Sequence, residues 1–326
     1  MARYKKIRKL YINNTNRFRT ILRILLIILL LLILICLFKT CVECKPCRQR
    51  NAIIDQTGLL PEKEDWNNIP DVIPPFDDAD LDSLPDKVSL EYLFPPIGNQ
   101  GNKGTCVAWA VGYNLKTALN AIDNHWTRAQ LDNTINQTSP KDLWLSIPQN
   151  QKGQNCGGTA FEPAFAVLMA DGVASMQDVP YENLGNCTGR KIGDHSNKLA
   201  NFSRIVSETE MPRVEHIKAY LNDSIPLVFG AKLGDRFMNW RNSDVISSDT
   251  YNYSGMHAYH AMVLVGYDDS KNAFRVRNSW GKEWGDEGSI WVDYQFFCNN
   301  FAYAVFVAEN KSGESQEQNR TVSKSS

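Results

Sequence analysis

A loop broken by glycines runs directly into a helix between Gln100 and Ile122. Gly101 and Gly104 exclude a stable helix in the first part of this stretch. Beyond them, apolar residues recur at helical spacing on one face, at Val111, Leu115, Ala118, Leu119 and Ile122. Cys106 stands at the junction, where unpaired N–H groups and the helix macrodipole favour negative charge. We therefore expect its thiol to ionise readily and to be a candidate nucleophile, although a lone cysteine before a helix is more often a small buried apolar residue.

Two polar residues far along the chain can complete such a nucleophile. His260 begins the segment HAMVLVGYDD, and Asn278 lies in RVRNSWGKEWGDEG. A cysteine activated by a histidine whose ring is oriented by an asparagine is the sulfur form of the nucleophile, base and orienter arrangement. His257 competes with His260, but the apolar strand pattern that follows His260 favours the latter. The order Cys, His, Asn and the roughly 150 residues between the first two fit a thiol hydrolase.

These motifs together resemble the papain-like cysteine proteases. The resemblance covers roughly residues 84–310 in the family's order. It rests on QGNKGTC at 100–106, CGG at 156–158, YE at 181–182, HA at 260–261 and NSWG at 278–281. It implies an α+β fold of two lobes, a helical lobe and an antiparallel β-barrel-like lobe, with the catalytic cleft between them.

The resemblance also implies a role for each residue of the catalytic group. Cys106 would be the nucleophile on one wall of the cleft, and His260 would carry the proton on the other. Asn278 would orient the imidazole ring. Gln100 stands six residues before the cysteine, where the family has the side-chain donor to the oxyanion hole.

Three further residues are expected to contact or cover the substrate site. Gly157 and Gly158 are similar to the glycine pair along which the family's substrates lie in an extended conformation, since only glycine allows so close an approach. A plain turn is the alternative interpretation of that pair. Trp280 resembles the indole that covers the contact between asparagine and histidine, and an ordinary buried tryptophan is compatible with that role.

The sequence departs from the family's pattern around the nucleophile. Val107 follows Cys106 directly, where a tryptophan is usual, and Trp109 comes two positions later. Lys103 takes the place of a cysteine that normally forms a disulfide. The family's bridge is therefore expected to be absent, and we predict that Cys156 pairs with Cys187 instead.

The order of secondary structure also predicts an α+β chain. Residues 161–170 have the pattern of a helix, with Gly172 just beyond its end. From Ile225 the pattern changes to short strands, IPLVFGAKL, HAMVLVGYD, FRVRNSW, GSIWVDY and FAYAVFVA. Helices first and strands later favour an antiparallel sheet or barrel over a parallel α/β sheet.

The first part of the chain predicts attachment to a membrane. Residues 1–20 are basic, and residues 21–38 are apolar except for Arg23, close to the minimum for a spanning helix. The basic flank places the N-terminus in the cytoplasm and the catalytic domain outside it, in a periplasmic or extracellular location. A cleaved signal peptide with secretion, and less favourably a lipoprotein, are the alternatives.

The remaining segments carry weaker signals. Residues 39–83 have the composition of a linker or a short pro-segment, shorter than the helical pro-region usual in papain-like proenzymes. CVECKPC at 41–47 has the spacing of metal ligands without an evident fourth ligand, so juxtamembrane thiols are the favoured interpretation. Residues 311–326 are polar and predict a disordered tail.

The preferred hypothesis is a membrane-anchored cysteine endopeptidase acting on peptide or protein substrates through a thioester acyl-enzyme. An exopeptidase or peptide ligase of the same fold, and a catalytically silent peptide-binding module, remain as alternatives. The net charge of −1 argues against nucleic acid as the partner. The motifs call for no cofactor and no metal.

Overall fold

The structure is a computed structural model that describes residues 23–31, 57–60, 69–153, 156–182, 184, 194, 197–207, 211–251 and 258–311. The chain divides into two units, Met1–Ala52 and Ile53–Ser326. The described part of the first unit is a helix over residues 23–31. The second unit contains the motifs on which the family resemblance rests. The CVECKPC cysteines belong to the first unit and lie outside the described residues, and the predicted tail beyond residue 311 also lies outside them.

The prediction of a membrane location is wrong. The described part of the apolar run, residues 23–31, is helical. Among the described ranges, no helix combines the length and apolarity needed to cross a bilayer. The predicted anchor over 21–38 is therefore not supported by the residues that the structure describes.

Most strands of the second unit follow its main helices. All the strands found in the described residues, nine in number, belong to one sheet. Their spatial order is β1-β3-β9-β4-β6-β7-β8-β5, with β2 paired to β6. The bounds are β1 Asp71–Val72, β2 Lys87–Ser89, β3 Leu199–Ile205, β4 Leu227–Leu233, β5 Val245–Ile246, β6 Ala258–Asp268, β7 Ala273–Arg277, β8 Ser289–Asp293 and β9 Ala302–Asn310. The pairs β1–β3 and β5–β8 are parallel and the others are antiparallel.

The helices lie mostly before the long strands. Their bounds are α1 Asp78–Asp82, α2 Ala108–Lys116 continued by Thr117–Asn124, α3 Arg128–Leu131, α4 Pro140–Ser146, α5 Phe161–Ala170, α6 Val214–Asn222, α7 Asp235–Met238 and α8 Tyr294–Phe296. The Ala108–Lys116 part of α2 is a π-helix, as is Phe297–Phe301 after α8, and short 3-10 turns lie at Glu91–Leu93 and Gln149–Gln151.

Helix α2 is the centre of the core. Every residue of its π-helical part is buried, and it packs on α4 and α5 and against β4 and β6. A helix that is buried on all sides belongs inside a domain and not at its surface. The helix ends at His125, which adopts a left-handed backbone conformation with φ 52°.

Aromatic packing and one buried arginine join the helices to the sheet. Phe165 of α5 stacks on Phe202 of β3 with ring centroids 4.2 Å apart. Arg277, the last residue of β7, donates from Nε to the side-chain oxygen of Asn114 in α2 at 3.0 Å and from Nη2 to the carbonyl of Pro95. These contacts join the middle of α2 to the end of β7.

The α+β fold predicted from the motifs is confirmed. The helix Phe161–Ala170 and all five strand segments after Ile225 are present close to the expected positions. The strand β3, the helix α6 and several short elements were not anticipated, among them α1, α3, α7, β1, β2 and β5. The two strand pairs at the edges of the sheet are parallel, so the sheet is mixed where an antiparallel one was expected.

Candidate active site

Cys106 lies where the loop meets the helix, as its sequence context predicts. Helical backbone begins at Cys106 and runs through Val107 into α2, and Cys106 is fully buried. Backbone N–H groups of Val107 and of Cys106 itself interact with the sulfur, as does the N–H of Ala261 in β6. Because Ala261 follows His260 directly, this contact brings the start of α2 against the strand that carries the histidine.

The ring of His260 is oriented by Asn278. His260 Nε2 lies 2.7 Å from Asn278 Oδ1, and the same oxygen accepts from the backbone N–H of Ser279 at 2.7 Å. The second contact identifies that atom as the amide oxygen, so Nε2 must be the protonated ring nitrogen. Nδ1 then carries the lone pair, and it is buried without a hydrogen-bond partner among the described residues.

Trp280 covers this contact. Its ring centroid lies 4.7 Å from that of His260 at an interplanar angle of 37°. Phe237 and Trp284 pack on the indole in turn, with centroids 5.7 Å and 5.3 Å from it. A hydrogen bond shielded from water in this way is stronger than the same bond in solvent.

Gln100 is held beside the same turn. Its backbone N–H donates to the carbonyl of Ser279 at 2.8 Å, and the Ser279 hydroxyl donates to its side-chain oxygen at 2.7 Å. The side-chain nitrogen donates to the carbonyl of Lys103 at 2.8 Å. The NH₂ end of the buried amide therefore faces the loop that leads to Cys106.

Burial is the largest cause of the pKa shifts of Cys106 and His260. It raises the pKa of Cys106 to about 12, against the smaller effect of the backbone N–H groups, which lower it. Burial also lowers the pKa of His260 to about 4, although the hydrogen bond to Asn278 acts in the other direction. The expectation of a readily ionised thiol at the helix terminus is therefore not met in this closed arrangement, where both groups are neutral at pH 7.

The predicted glycine pair forms a wall close to the nucleophile loop. The N–H of Gly104 donates to the carbonyl of Cys156 at 2.8 Å. A Cβ added at Gly104 would lie 2.6 Å from that carbonyl oxygen and 3.0 Å from Gly158 N. Cys156 is disulfide-bonded, and the predicted partner Cys187 lies outside the described residues, as does His257.

A short segment from the N-terminal side lies between the two walls of the cleft, and we call this segment, Thr57–Leu60, the strap. The N–H groups of Gly58 and Leu59 donate to the carbonyl of Tyr259 at 3.3 Å and 3.2 Å. On the opposite side, Leu60 N–H donates to the Thr159 carbonyl at 3.0 Å and Thr159 N–H donates to the Gly58 carbonyl at 2.9 Å. The strap thus touches the residue before His260 and the residue after Gly158.

Sequence reasoning missed three contributors to this site. Tyr181 was noticed only as part of a motif, yet its hydroxyl lies 2.7 Å from that of Thr105 and donates to the Gln100 carbonyl at 3.0 Å. Ser279 is the hydrogen-bond partner of Gln100. The strap carried no signal beyond one glycine between polar and aliphatic residues, because its contacts are made by the backbone.

The chain belongs to the papain family of cysteine proteases, because the model of that family matches residues 86–306. This match places it among the cysteine-type hydrolases. The matched range begins at the strand β2 and ends within β9, so it includes both walls of the cleft.

The chain is also similar to individual proteins. It is 26% identical over 220 residues to "Zingipain-2" of Zingiber officinale, covering 64% of this chain and 87% of that protein. It is 34% identical over 216 residues to a peptidase C1-like protein of Acanthamoeba polyphaga mimivirus, covering 62% and 65%. "Cysteine protease 1" of Oryza sativa is 26% identical over 219 residues, and there the match spans only 41% of the relative's length.

Solved structures share the fold. Xylellain, a cysteine protease from Xylella fastidiosa, superposes with a TM-score of 0.62 at 22% identity, covering 79% of this chain and 97% of that one. Procathepsin L 3 from the larval midgut of Tenebrio molitor has a TM-score of 0.60 at 16% identity, covering 80% and 78%. At these identities the likeness concerns the fold alone, which is the two-lobed α+β fold of the papain family.

Proposed function

We propose that this protein is an endopeptidase that hydrolyses peptide bonds through a thioester formed on Cys106. His260 is the proton carrier, Asn278 orients its ring, and Gln100 together with the backbone N–H of Cys106 binds the oxyanion. The observation that carries the proposal is the imidazole of His260. Its Nε2 is committed to Asn278 while Nδ1 is left with a lone pair, beside a residue whose N–H reaches the Cys106 sulfur.

The first half-reaction starts from a neutral pair. His260 Nδ1 takes the proton of the Cys106 thiol, and the sulfur attacks the carbonyl carbon of the peptide. The negative sulfur and the positive imidazole then lie close together, and their attraction offsets the burial that each charge would face alone. The imidazolium returns its proton to the departing amine, the C–N bond breaks, and a thioester remains.

The second half-reaction releases the enzyme. Water attacks the thioester carbonyl while His260 Nδ1 accepts one of its protons, and the sulfur leaves and regains a proton from the imidazolium. The products are a carboxylic acid and the free thiol. An amine in place of water would give ligation, and attack near a chain end would give an exopeptidase, so the products distinguish these alternatives.

Substrate binding is assigned to the wall formed by Gly157 and Gly158. Gly157 is exposed and Gly158 is buried with φ 121°, a conformation that favours glycine. An extended peptide can pair its main chain with such a wall because no side chain intervenes. Trp280 is assigned to the rim, where it shields the contact between His260 and Asn278.

The proposal is tested by digesting a peptide library with and without a thiol-directed epoxide. We expect internal cleavage that the epoxide abolishes, with the reagent found on Cys106 by mass spectrometry. Removal of single residues from chain ends would indicate an exopeptidase. Labelling of Cys106 without any cleavage would favour a silent peptide-binding module.

Replacement of Gln100 by alanine is expected to lower kcat by about a hundredfold or more, because the oxyanion loses one of two donors. KM should change little, since the oxyanion exists only in the transition state. Steady-state kinetics on a fluorogenic peptide measure both quantities. Asn102→Ala, on the exposed part of the same loop, is the matched control, and an unchanged kcat in Gln100→Ala would show that Gln100 is not a donor to the oxyanion.

A further inference from the structure

A cavity of about 770 Å³ lies where the second half of α2 meets the start of β3 and the end of β9. This volume is within the range of sites that take small molecules. Its walls include Lys116, Asn120 and Asp123 of α2 and Asn310 of β9. Among the described residues, none that lines it belongs to the proposed catalytic group. The cavity is therefore distinct from the catalytic cleft.

Lys116 brings a buried amine to this cavity without a counterion. It is 2% exposed, and its Nζ donates to Asn120 Oδ1 at 2.5 Å. No ion pair joins it to another side chain within the described ranges. Burial lowers the pKa of Lys116 to about 7, although the charges of Asp123 and Asp194 act in the other direction. An ammonium group away from water is costly without an anion against it, so a bound anion would stabilise its charged form.

Three asparagines from distant parts of the chain lie beside this amine, and we call Asn120, Asn197 and Asn310 the asparagine cluster. Asn120 Nδ2 donates to Asn197 Oδ1 at 3.0 Å, and Asn310 Nδ2 donates to Asn120 Oδ1 at 3.1 Å. Asn310 Nδ2 also donates to Asp123 Oδ2 at 2.7 Å. The bond from Lys116 identifies the oxygen of Asn120, and the bond to Asp123 identifies the nitrogen of Asn310. The orientation of both amides is therefore fixed.

Asn310 presents an acceptor that the protein does not use. Its side-chain oxygen is buried and has no hydrogen-bond partner among the described residues. A buried acceptor is unfavourable until a donor reaches it. Asp123 adds a carboxylate at the exposed edge of the cavity. The cavity thus offers a cation to an anionic group and two acceptors to a donor, and the amide of Asn120 is all that separates the cation from the acceptors of Asn310.

We propose that this cavity is a second binding site of the protein, for a small zwitterion of the α-amino acid type. The carboxylate of the ligand contacts Lys116, and its ammonium group donates to Asn310 Oδ1 and to Asp123. One carbon separates these two groups in an α-amino acid, which matches a site whose cation and acceptors lie one amide apart. Apolar walls at Val72 and Leu119 hold an aliphatic side chain. The inference goes beyond the proposed function and does not depend on it.

The first test is calorimetric titration of the full chain with L-leucine at pH 6.5. Leucinamide lacks the carboxylate and 4-methylpentanoate lacks the ammonium group, so each should bind at least tenfold more weakly than leucine. Lys116→Met should weaken leucine binding at least tenfold. Lys282→Met removes the same charge from an exposed position between β7 and β8 and should leave the affinity unchanged. Leucinamide that binds as tightly as leucine, or leucine that binds Lys116→Met as well as the unmodified protein, would overturn the proposal.

A variant at Asn310 tests the other end of the ligand. Asn310→Leu removes the acceptor that faces the ammonium group, so leucine should bind at least fivefold more weakly. The affinity for 4-methylpentanoate should stay within twofold, because that compound has no ammonium group to lose a partner. Equal losses for both compounds would contradict the assigned orientation.

The second test follows leucine binding to the unmodified protein against pH. A carboxylate beside Lys116 favours the charged amine, so binding above pH 7 should take up a proton. The affinity should be constant below pH 6 and fall towards a tenfold loss per pH unit between pH 7 and pH 8.5. Lys116→Arg keeps its charge over this interval and should remove the dependence. The other charged residues that line the cavity are Asp123, Lys198, Asp223, Glu309 and Lys311.

The outcomes separate the second site from the peptidase function. An affinity for leucine that is equal at pH 6 and pH 8.5 would reject the contact with Lys116. Leucine binding that Lys116→Met abolishes, in a protein that hydrolyses no peptide, would support the second site and reject the peptidase. Hydrolysis that Cys106→Ala abolishes, without any leucine binding, would reject the second site and leave the peptidase standing.

Discussion

Replacing Cys106 with alanine is expected to reduce peptide hydrolysis by about 10⁵-fold or more, the scale on which an enzyme loses activity with its covalent nucleophile. Without the sulfur no thioester can form, and the remaining donors at Gln100 and at the helix terminus can only stabilise attack by water. The measurement is kcat/KM on a fluorogenic peptide that the unmodified protein cleaves. The substitution removes one buried atom, so thermal unfolding should show that the fold is retained.

The matched control is Cys298→Ala. Cys298 is the second free cysteine of the described residues and lies, partly buried, in the π-helix Phe297–Phe301. It lies outside the proposed catalytic group, so activity should be unchanged. If Cys298→Ala lost activity while Cys106→Ala kept it, the nucleophile would have been assigned to the wrong thiol.

Replacing His260 with alanine is expected to separate the thiol from its proton acceptor and to slow alkylation of Cys106 at pH 7 by about a thousandfold or more, at the upper end of what a general base supplies. The backbone contacts and the burial that set the pKa of Cys106 to about 12 do not involve the imidazole. In His260→Ala the labelling rate should therefore follow the ionisation of the Cys106 thiol without a neighbouring base. A raised pKa favours the protonated form, so the rate should rise about tenfold per pH unit and level off only near pH 12.

The measurement is the rate of labelling by iodoacetamide from pH 6 to pH 11, for both proteins under the same conditions. His216→Ala is the control, since His216 is a partly buried histidine on α6 that lies outside the proposed catalytic group. Equal rates and equal pH profiles for the unmodified protein and His260→Ala would contradict the assignment of His260 as the base. They would favour a peptide-binding protein whose thiol has no partner.

Much of the fold followed from local patterns. Helical spacing after Gly104 predicted the central helix, and its start at Cys106 is where the glycines end. The strands that follow Ile225 are β-rich runs separated by turns, and they form as expected. The strand β3 was missed because LANFSRI alternates poorly between buried and exposed residues, so pairing with β9 and not its own pattern makes it a strand.

The membrane assignment failed for a different reason. Hydropathy depends on composition alone, whereas crossing a bilayer also needs about 20 consecutive helical residues. In the described part of the run the helix covers residues 23–31. No helix among the described residues is long and apolar enough to span a membrane, so the prediction of a membrane location is not supported.

The candidate catalytic residues and their order could be predicted from the chain, because a thiol, an imidazole and an amide each have a chemistry that their sequence neighbours indicate. The protonation states of these residues could not be predicted from the sequence. A helix terminus favours a thiolate, but burial between two lobes outweighs it, and burial depends on segments that are distant in sequence.

The sequence by itself determined the family, the fold class and which side chains are available for catalysis. Only the tertiary structure decided which ring nitrogen of His260 holds the lone pair, how Ser279 positions Gln100, and what lies in the cleft. These depend on hydrogen bonds between backbone groups, which every residue carries alike, so no side-chain pattern records them. The strap shows this most clearly, since it contacts the cleft walls through backbone N–H and C=O groups and through glycines, which have no side chain.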